Sequence, residues 1–222
     1  MNSHVFAVVP VKETGQAKQR LAEALPAQVR QRLALAMLQD VLDALTAVSD
    51  LAGIMVVTED ADATRIACGY AARVSTAGAR DGHTGAVTTA ARLLTAEGFG
   101  MLAMPADIPL VTPADINRVL ASHGEAPAFS IVPARDLQGS NTILCTPANA
   151  VPLRFGTDSY FPHLAAANSC GIVPREVRVP NIELDVDTPD DLAAFIAAGS
   201  HTRAHRLLAE FDAEKQKWAA TR

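Results

Sequence analysis

Three cations fall close together after the apolar segment Val5-Phe6-Ala7-Val8-Val9: Lys12, Lys18 and Arg20. Ahead of a helix, such a cluster can hold a polyphosphate through charge-assisted hydrogen bonds, or it can be an ordinary solvated loop. Asp107 stands in Pro105-Ala106-Asp107-Ile108-Pro109, directly after a second apolar run. A carboxylate held stiffly between two prolines suits a hard cation such as Mg2+, and it equally suits a turn cap. Asp185 and Asp187 are two apart, so on an extended strand both side chains share one face. Two like charges side by side repel unless a cation sits between them. With Asp107 they would form a three-carboxylate site for a nucleotide-bound metal, which neutralises charge developing during transfer at phosphorus.

A fourth group is Gly139-Ser140-Asn141-Thr142 together with Arg154-Phe155-Gly156-Thr157-Asp158-Ser159. Glycines and small hydroxyls let backbone amides approach an anion, and Ser159 at a helix start adds the positive dipole end. A polar turn and an N-cap fit the same residues. The chain contains neither GxxxxGK[ST] nor GxGxxG, the strongest signs of P-loop and dinucleotide folds. Cys68, Cys145 and Cys170 are far apart, with no metal-binding spacing, and read as reduced cytoplasmic thiols.

The elements that must position these residues follow from apolar periodicity. Continuous apolar runs at 5–9, 53–58 and 100–104 read as buried parallel strands, and 73–75 as a shorter one. Between them, helical spacing runs from about 27 to 48, 60 to 68 and 86 to 96, with Asp81-Gly82-His83-Thr84-Gly85 as the loop opening the third helix. Thr112-Pro113-Ala114-Asp115 and Thr188-Pro189-Asp190-Asp191 each combine an N-cap threonine, proline at the first helical position and a third-residue carboxylate. Strands are expected at 128–132 and 142–145 around a Gly139-Ser140-Asn141 turn, and again at 177–179 and 183–186; a helix is expected over 159–167. A polar amphipathic helix over about 203–219 ends the chain. Strands alternating with helices specify an open α/β sheet, mostly parallel, in three layers. The expected organisation is one domain over 1–199 and a helical extension over 200–222. In such sheets ligands bind beyond the carboxyl ends of the strands, where the clusters above lie.

Composition narrows the function classes. Of 222 residues, 49% are apolar and 19% charged, enough for a full core and unlike a disordered chain. A net charge of -5 argues against a nucleic-acid binder that works by bulk charge. No apolar run approaches a membrane span, and the N-terminus lacks a basic, cleavable leader, so a cytoplasmic enzyme with small-molecule substrates is expected.

Taken in order, these motifs resemble one family. They are Val9-Pro10-Val11-Lys12 with Ala17-Lys18-Gln19-Arg20-Leu21, Asp40-Val41-Leu42, Pro105 to Leu110, Gly139-Ser140-Asn141, Arg154 to Ser159, and Leu184 to Pro189. The chain is similar to the guanylyltransferases that activate 2-phospho-L-lactate, phosphoenolpyruvate or 3-phospho-D-glycerate in deazaflavin coenzyme biosynthesis. The resemblance covers residues 5 to 198. It implies a nucleotide-diphospho-sugar-transferase-like fold, GTP as co-substrate and Mg2+ as cofactor. It implies that Asp107, Asp185 and Asp187 hold the metal, and that Lys18 and Asp107 are catalytic. The GTP contacts it implies are Pro10, Val11, Lys12, Lys18, Arg20, Gly82, Thr84, Pro105, Ala106 and Asp107. Ser140, Asn141, Thr142, Gly156 and Ser159 would hold the acid. The chain departs from the family pattern at His83-Thr84, at Ser140 and after Ser159, which points toward 3-phospho-D-glycerate among the three acids. A molybdopterin-type guanylyl- or cytidylyltransferase would carry a glycine-rich LxxGxGxR opening, which is absent. A non-catalytic nucleotide-binding module would not need all three aspartates. The helix beyond Ser200, with Trp218 near its end, is a candidate homodimer element or a plain surface helix.

Overall fold

A computed structural model describes residues 4–156 and 158–220, with side chains throughout these except at 215 and 217–220. Thr157 and the Trp218 side chain therefore lie outside the described residues. The strands are β1 (Val5–Pro10), β2 (Leu51–Val57), β3 (Arg73–Ser75), β4 (Gly100–Ala103), β5 (Ala128–Pro133), β6 (Ser140–Thr146) and β7 (Arg175–Glu176). They form a 7-stranded sheet in the order β3-β2-β1-β4-β6-β5-β7. β1 pairs in parallel with β2 and β4, β2 with β3, and β5 with β7. β6 runs antiparallel to both its neighbours, β4 and β5.

The helices are α1 (Ala27–Thr46), α2 (Ala61–Gly69), α3 (Gly82–Ala96), α4 (Pro113–Ser122), α5 (Tyr160–Ser169), α6 (Pro180–Glu183), α7 (Pro189–Ala197) and α8 (Arg203–Ala220). The sheet is apolar on both faces because both are covered. On one face Ala7, Val9, Val56 and Leu102 pack with Val41 and Leu45 of α1 and Ile116 of α4. On the other, Val8, Met55 and Met101 pack with Val87, Ala90 and Leu94 of α3. A further layer joins Leu33 and Met37 of α1 to Phe195 of α7 and to Ala204 and Leu208 of α8. The expected mostly parallel, three-layer α/β architecture is what forms. Both Thr-Pro-x-Asp segments make the expected capping boxes, at the starts of α4 and α7.

Three local expectations are corrected. α3 begins at Gly82, so Gly82, His83 and Thr84 form its first turn and not a loop before it. Gly85 makes that turn possible, since a Cβ there would stand 2.2 Å from the Cβ of Asp81. β6 begins at Ser140, opposite Pro133 across a bulge, so Ser140 and Asn141 belong to the sheet and not to the turn. The strands expected at 177–179 and 183–186 do not form. Pro180 starts the short helix α6, and residues 184–187 run on outside the sheet.

Chain order fixes where a ligand can bind. From β1 the chain builds outward through β2 and β3, then returns to place β4 on the other side of β1. The carboxyl ends of β1 and β4 are thus the switch point at which open sheets leave a crevice.

Candidate active site

A cleft of about 640 Å3 opens at that switch point. Pro10, Val11 and Lys12 line it where β1 ends, and Pro105, Ala106 and Asp107 where β4 ends. His83 of α3, Ala34 and Met37 of α1, and Asp187 complete much of its wall. The segment from Glu13 to Lys18 crosses the cleft and contains a 3-10 turn, Thr14–Gln16. Asp60 fixes this segment: its Oδ2 accepts from the Thr14 backbone N–H at 2.8 Å and from Thr14 Oγ1 at 2.7 Å. The same carboxylate caps α2 by accepting from the Ala63 N–H at 2.8 Å. Burial works against its charge, but these bonds outweigh it and hold Asp60 below the usual carboxylate range.

Lys18 is the centre of charge. Its backbone is left-handed, at φ 54 and ψ 45, which carries the side chain inward. Its Nζ donates to Asp107 Oδ2 at 2.5 Å and to Asp187 Oδ1 at 2.9 Å, and only 8% of the side chain is exposed. Burial alone would lower the lysine pKa, yet Asp107 and Asp187 together raise it, so the ammonium is charged throughout the neutral range. Asp187 is pushed up by burial and pulled below its ordinary value by Lys18 and then Arg20. Arg20, with its side chain 71% exposed, reaches Asp187 at 3.5 Å from the rim.

Asp185 lies beside this pair. Burial, and then the charge of Asp107, push its pKa up to about 6. Asn141 Nδ2 donates to Asp185 Oδ1 at 3.1 Å and to the Ile182 and Glu183 carbonyls at 2.9 and 3.2 Å. Asn141 therefore positions the segment that carries the two aspartates. Between them Val186 is buried, its N–H donating to the Asp107 carbonyl at 2.9 Å. The expected shared face of Asp185 and Asp187 thus arises from an extended segment tied to the Asp107 loop. Among the described residues, no three His, Cys, Asp or Glu side chains stand close enough together to cage a metal. The ammonium of Lys18 lies between two of the carboxylates instead.

The remaining candidates sit at the neighbouring end of the sheet. Ser159 Oγ donates to Ser140 Oγ at 3.2 Å, so the two meet across the gap between β6 and α5. Gly156 has φ 144, a conformation that favours glycine. Thr142 is fully buried, and its Oγ1 has no hydrogen-bond partner among the described residues. Gly82 borders a small pocket adjoining the main cleft, with Pro10, Val11, Lys12 and His83. Thr84 ties down the loop before α5: Oγ1 accepts from Phe155 N at 3.0 Å and donates to its carbonyl at 3.2 Å. Asp40 of the Asp40-Val41-Leu42 motif lies away from the cleft; its two oxygens accept from the Arg203 and Ala204 N–H groups at the start of α8.

Sequence reasoning missed Asp60 and His163, whereas His83, expected near the nucleotide base as part of Gly82-His83-Thr84, does line the cleft. The signal for Asp60 was its place as an N-cap directly after β2, at the carboxyl edge of the sheet. His163 lay one helical turn beyond Ser159.

The chain matches, over residues 5–220, the sequence family described as guanylyl transferase CofC like. It is 38% identical over 208 residues to phosphoenolpyruvate guanylyltransferase of Roseiflexus castenholzii, covering 93% of this chain and 95% of that one. It is 36% identical over 186 residues to 3-phospho-D-glycerate guanylyltransferase of Colwellia psychrerythraea, covering 83% and 88%. It is 32% identical over 203 residues to 2-phospho-L-lactate guanylyltransferase of Methanothermobacter thermautotrophicus, covering 91% and 88%. Among solved structures, one from Desulfovibrio desulfuricans G20, provisionally described as a nucleotide-diphospho-sugar transferase, superposes with TM-score 0.76. It is 21% identical, over 97% of this chain and 98% of that one. A 4-diphosphocytidyl-2C-methyl-D-erythritol synthase superposes with TM-score 0.59 at 16% identity, over 87% and 97%. The fold is thus that of the nucleotide-diphospho-sugar transferases, and the chain belongs to the CofC-like guanylyl transferases.

Proposed function

We propose that this protein joins GTP to the phosphate of a three-carbon phosphorylated acid, with Mg2+, in the cytoplasm, as a step toward a deazaflavin coenzyme. The observation that carries this reading is the Lys18 ammonium, held by Asp107 and Asp187 at the carboxyl ends of β1 and β4. A triphosphate laid over that crevice meets Lys18, Lys12 and Arg20. A phosphate oxygen of the acid attacks the α-phosphorus, the bond from that phosphorus to the bridging oxygen breaks, and pyrophosphate leaves. The attacking oxygen is already anionic, so no general base is required, and catalysis is positioning with charge neutralisation.

The donor set fits Mg2+ in one particular way. Lys12, Lys18 and Arg20 are opposed by Asp107, Asp185 and Asp187, so the protein alone offers a triphosphate little net positive charge. Mg2+ is usually held by one or two carboxylates plus substrate phosphates and not by an all-protein cage, and the site has carboxylates for that arrangement without a three-ligand cluster. When bound, the ion would neutralise charge on the phosphates during transfer. Asp107, Asp187 and Asp185 are the residues that would hold it. Lys18 would keep the triphosphate in register, and Ser140, Ser159 and the Gly156 backbone would receive the acid.

The names of the relatives share one chemistry, a carboxylate and a phosphate on three carbons. The test is pyrophosphate release with GTP and Mg2+, supplying phosphoenolpyruvate, 3-phospho-D-glycerate and 2-phospho-L-lactate in turn. Release that depends on one acid is expected. Release with none of them would refute the proposed acceptor class.

A further inference from the structure

Ser140 has an arrangement of hydrogen bonds that determines where its proton can go. The Arg154 backbone N–H donates to His163 Nε2 at 2.9 Å. A backbone N–H can only donate, so Nε2 carries no proton, and the neutral ring must carry it on Nδ1. Nδ1 lies 2.9 Å from Ser140 Oγ, which therefore accepts from it. Ser159 Oγ donates to the same oxygen at 3.2 Å. A hydroxyl has two lone pairs and one proton, and both lone pairs of Ser140 are now used. Its proton is left to donate outward, and no described residue accepts it. Ser140 is partly exposed, whereas Ser159 and His163 are buried.

The ring is held for this purpose on several sides. His163 is fully buried, 5.1 Å centroid to centroid from Phe155. Phe155 in turn stacks on His83, a wall of the cleft, at 4.5 Å, and its backbone is clamped by Thr84. Burial pushes the His163 pKa down to about 4, so the neutral ring persists at physiological pH.

We propose that His163 is the positioning residue that turns the Ser140 hydroxyl into an obligate donor toward an anionic oxygen of the phosphorylated acid. This rests on the reading of Ser140 as part of the acid site. His163 itself touches no substrate; it denies Ser140 the choice of accepting, and so favours a carboxylate or phosphate oxygen over a hydroxyl at that position.

The test compares His163→Phe, His163→Asn and Ser140→Ala in pyrophosphate release with each of the three acids. Both His163 variants remove the acceptor for Arg154 N–H, but the asparagine amide keeps a donor near the Nδ1 position. In His163→Phe the KM for the acid should rise about 3- to 10-fold, because Ser140 keeps its proton but is no longer held to donate it. The KM for GTP and the kcat at saturating acid should stay within about twofold, and His163→Asn should recover most of the loss. The double variant His163→Phe/Ser140→Ala should be no worse than Ser140→Ala alone. An unchanged acid KM in Ser140→Ala would overturn the acid-site reading and this proposal with it. A raised KM in Ser140→Ala with a normal one in His163→Phe would overturn the proposal alone, as would additive losses or no rescue by asparagine. Nitrogen NMR of labelled histidine in the wild-type protein tests the same point without a variant. A protonated Nδ1 and a bare Nε2 are expected at neutral pH; the opposite tautomer or an imidazolium would overturn the proposal.

Discussion

Lys18 sits where two needs conflict. Without nucleotide it neutralises Asp107 and Asp187; in the proposed reaction it must face phosphate. Removing it leaves two carboxylates that are 27% and 41% exposed, so water can take over much of the lost compensation. Lys18→Ala should therefore lower kcat/KM for GTP by about 100- to 1000-fold, the usual cost of losing one preorganised charge donor. The thermal midpoint without ligand should move little. A variant with wild-type GTP kinetics would show that Lys18 serves the fold and not the phosphates. Lys18, Asp107 and the Asp185/Asp187 pair could be read from the sequence because each lies next to a strand end or at a telling spacing. The residues that hold them could not. Thr14 and Asp60 are 46 apart in sequence, and Ser140 and His163 are 23 apart, so their hydrogen bonds exist only once the sheet has formed.

At the scale of elements, the parallel half of the sheet was legible because its strands are buried on both faces and read as unbroken apolar runs. The segment from 177 to 187 was not. Val177-Arg178-Val179 and Glu183-Leu184-Asp185-Val186 alternate like strands, but Pro180 has no N–H to give a ladder and starts a helical turn instead. Buried histidines tie other elements together. His123, just past α4, contacts Ser130 Oγ of β5 and Thr146 Oγ1 of β6, both at 2.8 Å. Burial, helped by Arg175, pushes its pKa from 6.5 down to about 4. His83 and His163 are likewise lowered to about 4, chiefly by burial. Between these values the unfolded chain binds protons that the folded one refuses, so this stability is complete above 6.5 and is lost as pH falls toward 4. Asp185, raised to about 6, works in the opposite direction, since the folded state takes its proton first. Three histidines are opposed by Asp185 and also by Asp40, which burial raises in the same direction, so the net slope stays below two protons, less than about 3 kcal/mol per pH unit. Thermal unfolding followed from neutral pH down to about 4.5 should show the midpoint falling steadily. A flat profile would mean the histidines open to solvent or take up protons without unfolding.

For the whole molecule, the question is whether α8 is an extension or part of the core. Its apolar stripe of Ala204, Leu207, Leu208 and Phe211 is visible in the sequence, but the surface it covers is not. That surface is α1, whose Met37 contributes both to this cluster and to the wall of the cleft. The joint is also polar. Asp40, buried within α1 and with its pKa raised by that burial, spends both oxygens on the first backbone N–H groups of α8. Arg203 pairs with Asp43 at the same joint. A chain ending at Gly199 would leave Asp40 without these partners and would expose Leu33, Phe195 and Leu192 to water. Two or three such side chains are worth about 1.5–3 kcal/mol each, against a total stability of about 5–15 kcal/mol. The truncated protein should therefore be largely unfolded or aggregated. Leu208→Ala, which is 3% exposed in the intact protein, offers a milder form of the same test. It should cost about 2–4 kcal/mol and lower the midpoint by roughly 5–15 °C. Its KM for GTP should stay near wild type, because α1 stands between Leu208 and the cleft. A truncated chain that keeps both its midpoint and its GTP kinetics would show that the core closes without α8.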